Sequence, residues 1–70
     1  MSESNALERI DKAMYELGLI LGDDEVDDLN EQFTEQAVDE LSAEGDTTEE
    51  ALYEKLAVLF EDELEKYKQD

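Results

Sequence analysis

Residues 22–45 read GDDEVDDLNEQFTEQAVDELSAEG. Between Gly22 and Gly45 stand ten acids, Asp23, Asp24, Glu25, Asp27, Asp28, Glu31, Glu35, Asp39, Glu40 and Glu44, with no Lys or Arg among them. Val26, Leu29, Phe33, Ala37, Val38 and Leu41 recur at steps of mostly three and four, the period of an amphipathic helix. On a helical wheel Asp24, Asp28, Glu31, Glu35 and Asp39 share one sector, opposite Val26, Leu29, Phe33 and Ala37. One face of this helix can bury itself while the other presents carboxylates to water. The acids at 23, 24, 25, 27 and 28 suit the N-terminal end of a helix, with Asp23 or Asp24 as cap. That account does not reach Glu31, Glu35 or Asp39. Like charges three and four apart destabilise a helix by a few tenths of a kcal/mol per pair, about 0.2–0.5, so the ridge does not serve helix stability.

On the N-terminal side, Leu7, Ile10, Met14, Leu17 and Leu21 form a heptad-like seam, with Ala6, Ala13 and Ile20 beside it. Ser2 or Ser4 is placed to cap this segment and Gly22 to stop it. Gly18 interrupts the pattern, marking either a close helix approach or an early helix end. The segment from Leu17 to Leu21 is apolar nearly all round, which predicts the most enclosed position in the fold or a dimer interface. On the C-terminal side, Thr47-Thr48-Glu49-Glu50 spells a capping box with Thr47 as N-cap and Glu50 at N3. Leu52, Leu56, Leu59, Phe60, Leu64 and Tyr67 then mark a third apolar face. No useful strand alternation occurs. The expected fold is all-α: one domain over residues 1–70, an up-down-up bundle of three helices near 5–21, 24–44 and 48–68. Helix exchange between two chains satisfies the same pattern, so a homodimer is also allowed.

The 70 residues carry 23 acids and 5 bases, a formal net charge of −18, with no His, Cys or Pro. The excess is uneven: residues 1–22 sum to −2, residues 23–50 to −13 and residues 51–70 to −3. A small domain needs a net charge of only about 2–8 in magnitude for solubility. Such charge repels nucleic acid and anionic lipid and attracts basic partners. The apolar residues, 40% of the chain and periodic, argue against disorder. No run is long enough to span a bilayer and the N-terminus lacks a signal peptide's pattern, so a soluble, intracellular protein is expected.

Without His or Cys the commonest bases and nucleophiles are missing, and a chain this short has little room for a pocket that separates carboxylate pKa values. No enzyme and no cofactor are expected. An EF-hand frame fails from either start: from Asp24, Val26 and Leu29 fall at positions 3 and 6; from Asp23, Asp28 falls at 6 and Thr34 at 12. Asp23-Asp24-x-x-Asp27 looks like a magnesium–diphosphate motif, whose enzymes need an apolar cavity that this chain cannot build. No dedicated metal site is expected. Tyr15, Tyr53 and Tyr67 read as boundary residues, and Phe33 and Phe60 as core.

A helix over residues 23–44 runs about 33 Å, so its ten acids average about one per 3 Å, close to the ~3.4 Å per phosphate of one DNA strand. Short, cysteine-free, highly acidic chains with a carboxylate-studded helix resemble the DNA-mimic proteins of bacteriophages. The likeness rests on Asp24, Asp27, Asp28, Glu31, Glu35 and Asp39 and on overall charge, over the middle 40% or so of the chain. It is one of physical character rather than of a motif. It implies an inhibitor that occupies the DNA site of a basic host protein in the bacterial cytoplasm. Targets in that class include nucleoid-associated proteins such as HU, restriction enzymes, CRISPR effectors and repair glycosylases. A short ridge suits a compact target such as HU. The expected contact residues are Asp24, Asp27, Asp28, Glu31, Glu35 and Asp39, with Glu49 and Glu50 as a second row and Val38 or Leu41 adding grip. The partner is protein, with no direct nucleic-acid or membrane binding. Two readings stand beside it: an acidic adaptor or antitoxin-like module whose partner does not bind DNA, gripping through Leu17 to Leu21, and a halophile's housekeeping domain.

Overall fold

Two glycines set the chain reversals. The computed structural model describes residues 3–68, and among them the chain forms three α-helices and no strand. Helix α1 spans Glu3–Leu21, α2 spans Asp23–Glu44 and α3 spans Glu49–Lys68. Gly22 alone links α1 to α2. Its N–H closes the last turn of α1 on the Gly18 carbonyl, at 2.9 Å, and its carbonyl accepts from Val26 N, opening α2, at 3.2 Å. Its φ of +100° is open to glycine and strained for any side chain. The cap of α2 is therefore Gly22, with no side-chain bond, and not Asp23 or Asp24. Asp23, Asp24 and Glu25 still occupy the first turn, where the helix dipole favours them.

Gly45 ends α2 in the left-handed region, at φ 81°. Gly45 N donates to the Ser42 carbonyl and Asp46 N to the Leu41 carbonyl, the paired bonds of a Schellman motif. The cap of α3 is Thr48, one residue later than Thr47. Thr48 Oγ1 accepts from Ala51 N at 3.3 Å and donates to Asp46 Oδ1 at 3.0 Å. Glu50 consequently makes no capping box. Ser4 lies inside α1, and Ser2 lies outside the described residues.

Side-chain pairs fix the directions. Phe33 meets Phe60 edge to face, centroids 5.0 Å apart at 77°, and Glu40 meets Lys55. The partner number rises as the other falls, so α2 and α3 run antiparallel. Arg9 meets Glu61 and Glu16 meets Lys68, so α1 and α3 run parallel. The result is the up-down-up bundle, 36 × 23 × 21 Å, in which α1 packs most extensively on α3.

The core joins Ala13 and Leu17 of α1, Val26 and Ala37 of α2, and Leu56, Phe60 and Leu64 of α3, with Leu29 and Phe33 packed at its edge; Ala57 of α3 is fully buried too. Ala6 is buried as well, while Leu7 is exposed, so the buried stripe of α1 is rotated from the leucine seam toward its alanines. Leu17 is fully buried and Leu21 half-buried, but Leu19 is 72% and Ile20 48% exposed, so the end of α1 is not the most enclosed part of the fold. Gly18 neither ends α1 nor marks a close helix approach. A Cβ there would meet only Asp23 Oδ1, at 3.5 Å.

Candidate acidic interface

The apolar positions of α2 fix where its carboxylates go. Val26, Leu29, Phe33, Ala37 and Leu41 turn inward. At 100° per residue Asp24, Asp28, Glu31, Glu35 and Asp39 then lie on the opposite strip, and all five are exposed. None of them takes a hydrogen bond or ion pair among the described residues. The strip runs about 22 Å at the helical rise, or about one carboxylate per 5–6 Å. This is sparser than the average taken over all ten acids, because Asp23, Glu25, Glu40 and Glu44 face other ways.

Asp27 leaves the strip. It lines a hollow toward α1 with Asp11, Asp23, Met14, Tyr15 and Val26. Glu50 also belongs elsewhere, in a hollow at the start of α3 with Asp46, Thr48 and Glu54. Glu49 is exposed beside it. The eight expected contact residues thus divide into a five-membered strip, Asp27 on its α1 flank, and Glu49 and Glu50 at the α3 corner. The neighbours Asp11 and Asp46 carried no sequence signal, because each lies on another helix or turn.

The cations are placed apart from this surface. All five stand outside α2, on α1 or α3. Arg9 pairs with Glu61 and Glu54, Lys55 with Glu40, Lys68 with Glu16 and Lys66 with Glu63. The hydrogen bond from Arg9 holds the Glu61 carboxyl below the usual carboxylate range. That from Lys55, then that from Gln36, do the same for Glu40. Glu54 and Glu61 hold the Arg9 guanidinium above its usual value, Glu61 most strongly, and Glu40 raises Lys55. Arg9, Lys55 and Lys68 therefore fasten the helices to one another, Lys66 pairs within α3, and the α2 strip is left unneutralised.

Val38 borders the strip on the same helix and is 45% exposed. Leu41 is buried, so it offers a partner only the wall it shares with Val38, Thr47, Thr48 and Leu52 in a groove of about 150 Å³. Phe60 is fully buried and Phe33 half-buried, as core residues should be, whereas Tyr15 projects into solvent. Among the described residues no three acids are arranged to hold a metal ion, and no helix is long and apolar enough to cross a membrane. Comparison with protein-family models, curated proteins and solved structures finds no match to this chain.

Proposed function

We propose that this protein is a DNA mimic: a stoichiometric inhibitor that fills the DNA-binding surface of a basic bacterial protein, of which a nucleoid-associated protein such as HU is the favoured example. The observation that carries the reading is the strip Asp24, Asp28, Glu31, Glu35 and Asp39, exposed and without cation partners among the described residues, on a chain whose five bases all lie on the other two helices. A DNA-binding groove that takes most of its contacts from phosphates is indifferent to bases, and carboxylates on a rigid helix are a workable substitute. No catalytic step is part of the proposal. Steering by the net charge of −18 speeds the encounter at low salt. The site of action is the cytoplasm of the bacterial host.

The test is displacement of labelled duplex DNA from purified HU. The parent should displace it, less well as salt rises, and the variant Glu31→Gln/Glu35→Gln/Asp39→Asn should not, while keeping its helicity. Equal displacement by parent and variant removes the strip from the account.

A second reading has its own support. Leu19 and Ile20, with Tyr15 a turn before, leave apolar surface at the end of α1. An acidic adaptor or antitoxin-like module that bound through them would hold its partner at high salt and ignore added DNA.

A further inference from the structure

We infer that the groove between α2 and the first turn of α3 receives an apolar side chain from a cationic protein partner. This rests on the mimic reading and specifies the contact that charge alone does not provide. Val38, Leu41 and Leu52 supply apolar walls, and Thr47 and Thr48 close the end. The groove is open on one side, and its volume, about 150 Å³, is of the size that accommodates a benzene ring, about 150 Å³. It therefore suits a branched aliphatic or aromatic side chain.

Charge names the occupant. Asp39 follows Val38 on α2, Glu49 follows Thr48 on α3, and Thr48 is shared with the adjoining hollow of Asp46, Glu50 and Glu54. An apolar residue that enters the groove must arrive among carboxylates, so the chain that bears it carries Lys or Arg on either side. A second copy of this protein brings −18 of its own and is repelled. An apolar knob inside a polar rim is the usual anatomy of a protein interface, where a few buried anchors carry most of the affinity. Register follows too. The groove lies at the Asp39 end of the strip, so it tells the partner which end of a nearly uniform row of carboxylates it has met.

The test uses the peptide Lys-Arg-Leu-Lys-Arg, capped at both ends, and its counterpart with Ser for Leu, titrated into methyl- and amide-labelled protein. The leucine peptide should shift the methyl resonances of Val38, Leu41 and Leu52, and the serine peptide should leave them in place. In parallel, Val38→Asn, at an exposed position and neutral in charge, should weaken HU binding about fivefold to tenfold without changing its salt dependence. Shifts confined to the amides of Glu31 and Glu35, with Val38→Asn binding like the parent, overturn the groove and leave mimicry standing. No shift anywhere and no HU binding overturn both. A salt-dependent dimer dissolved by Val38→Asn overturns the groove's assignment to a cationic partner.

Discussion

Arg9 and Glu61 meet fork to fork across the α1–α3 interface: Nη2 donates to Oε1 at 2.7 Å and Nε to Oε2 at 3.0 Å. A second branch of the same guanidinium reaches Glu54 at 3.4 Å. In a chain with only five bases, one of them joins two carboxylates of a neighbouring helix that would otherwise repel each other. Arg9→Gln should lower the thermal midpoint, and more so at low salt, because it also raises the net negative charge. Arg9→Lys should recover only part of the loss, since an ammonium cannot form the parallel pair of bonds. Thermal melts at low and high salt check both.

Gly18 is a helix-interior glycine without a structural need. An added Cβ has ordinary contact with Asp23 Oδ1 and nothing closer. Gly18→Ala should stabilise the fold by about 0.8–1 kcal/mol. Gly45→Ala should do the opposite, by about 1–2 kcal/mol, because its φ of 81° is left-handed. Urea unfolding of the two variants gives the sign of each.

Phe60 is the largest fully buried side chain. Phe60→Ala should cost about 3–5 kcal/mol. A domain of this size has roughly 4–10 kcal/mol in all, so the variant should lose cooperative unfolding or melt well below the parent, as differential scanning calorimetry would show.

The Glu40–Lys55 pair gives a pH signature. The Glu40 carboxyl is held below 4.5, so its contribution is present above that value and is lost as pH falls through the lower folded value. Lys55 is held above 10.5, so its contribution is present below that value and is lost as pH rises through the higher folded value. The stability gap between the parent and Glu40→Gln should be open at neutral pH and close toward both extremes. Denaturant midpoints across pH measure it.

What the sequence made legible follows from locality. The three helices and the opposition of Leu29 and Phe33 to Glu31 and Glu35 are readable because a helix fixes direction from spacing alone. The cap of α3 is ambiguous in sequence because Thr47 and Thr48 are adjacent, and the choice depends on Asp46, whose carboxylate binds the Thr48 backbone N–H and hydroxyl. The cap of α2 is not readable because a glycine turn needs no side chain. Leucine outweighs alanine in hydrophobicity, so the spacing points the α1 seam through Leu7, whereas the fold buries Ala6 and Ala13. Ala57, fully buried, carried no signal for the same reason. Arg9 pairs with Glu61 on another helix, and Asp27 shares a hollow with Asp11 of α1, and no spacing within one helix encodes either.

The most direct measurement of the central claim is a competition titration of purified HU bound to labelled duplex DNA, repeated at rising salt. The parent should release the DNA, its inhibition should weaken as salt increases, and Glu31→Gln/Glu35→Gln/Asp39→Asn should fail while remaining helical. Release of DNA by the triple variant as readily as by the parent, or no release by the parent at any salt, would contradict the claim.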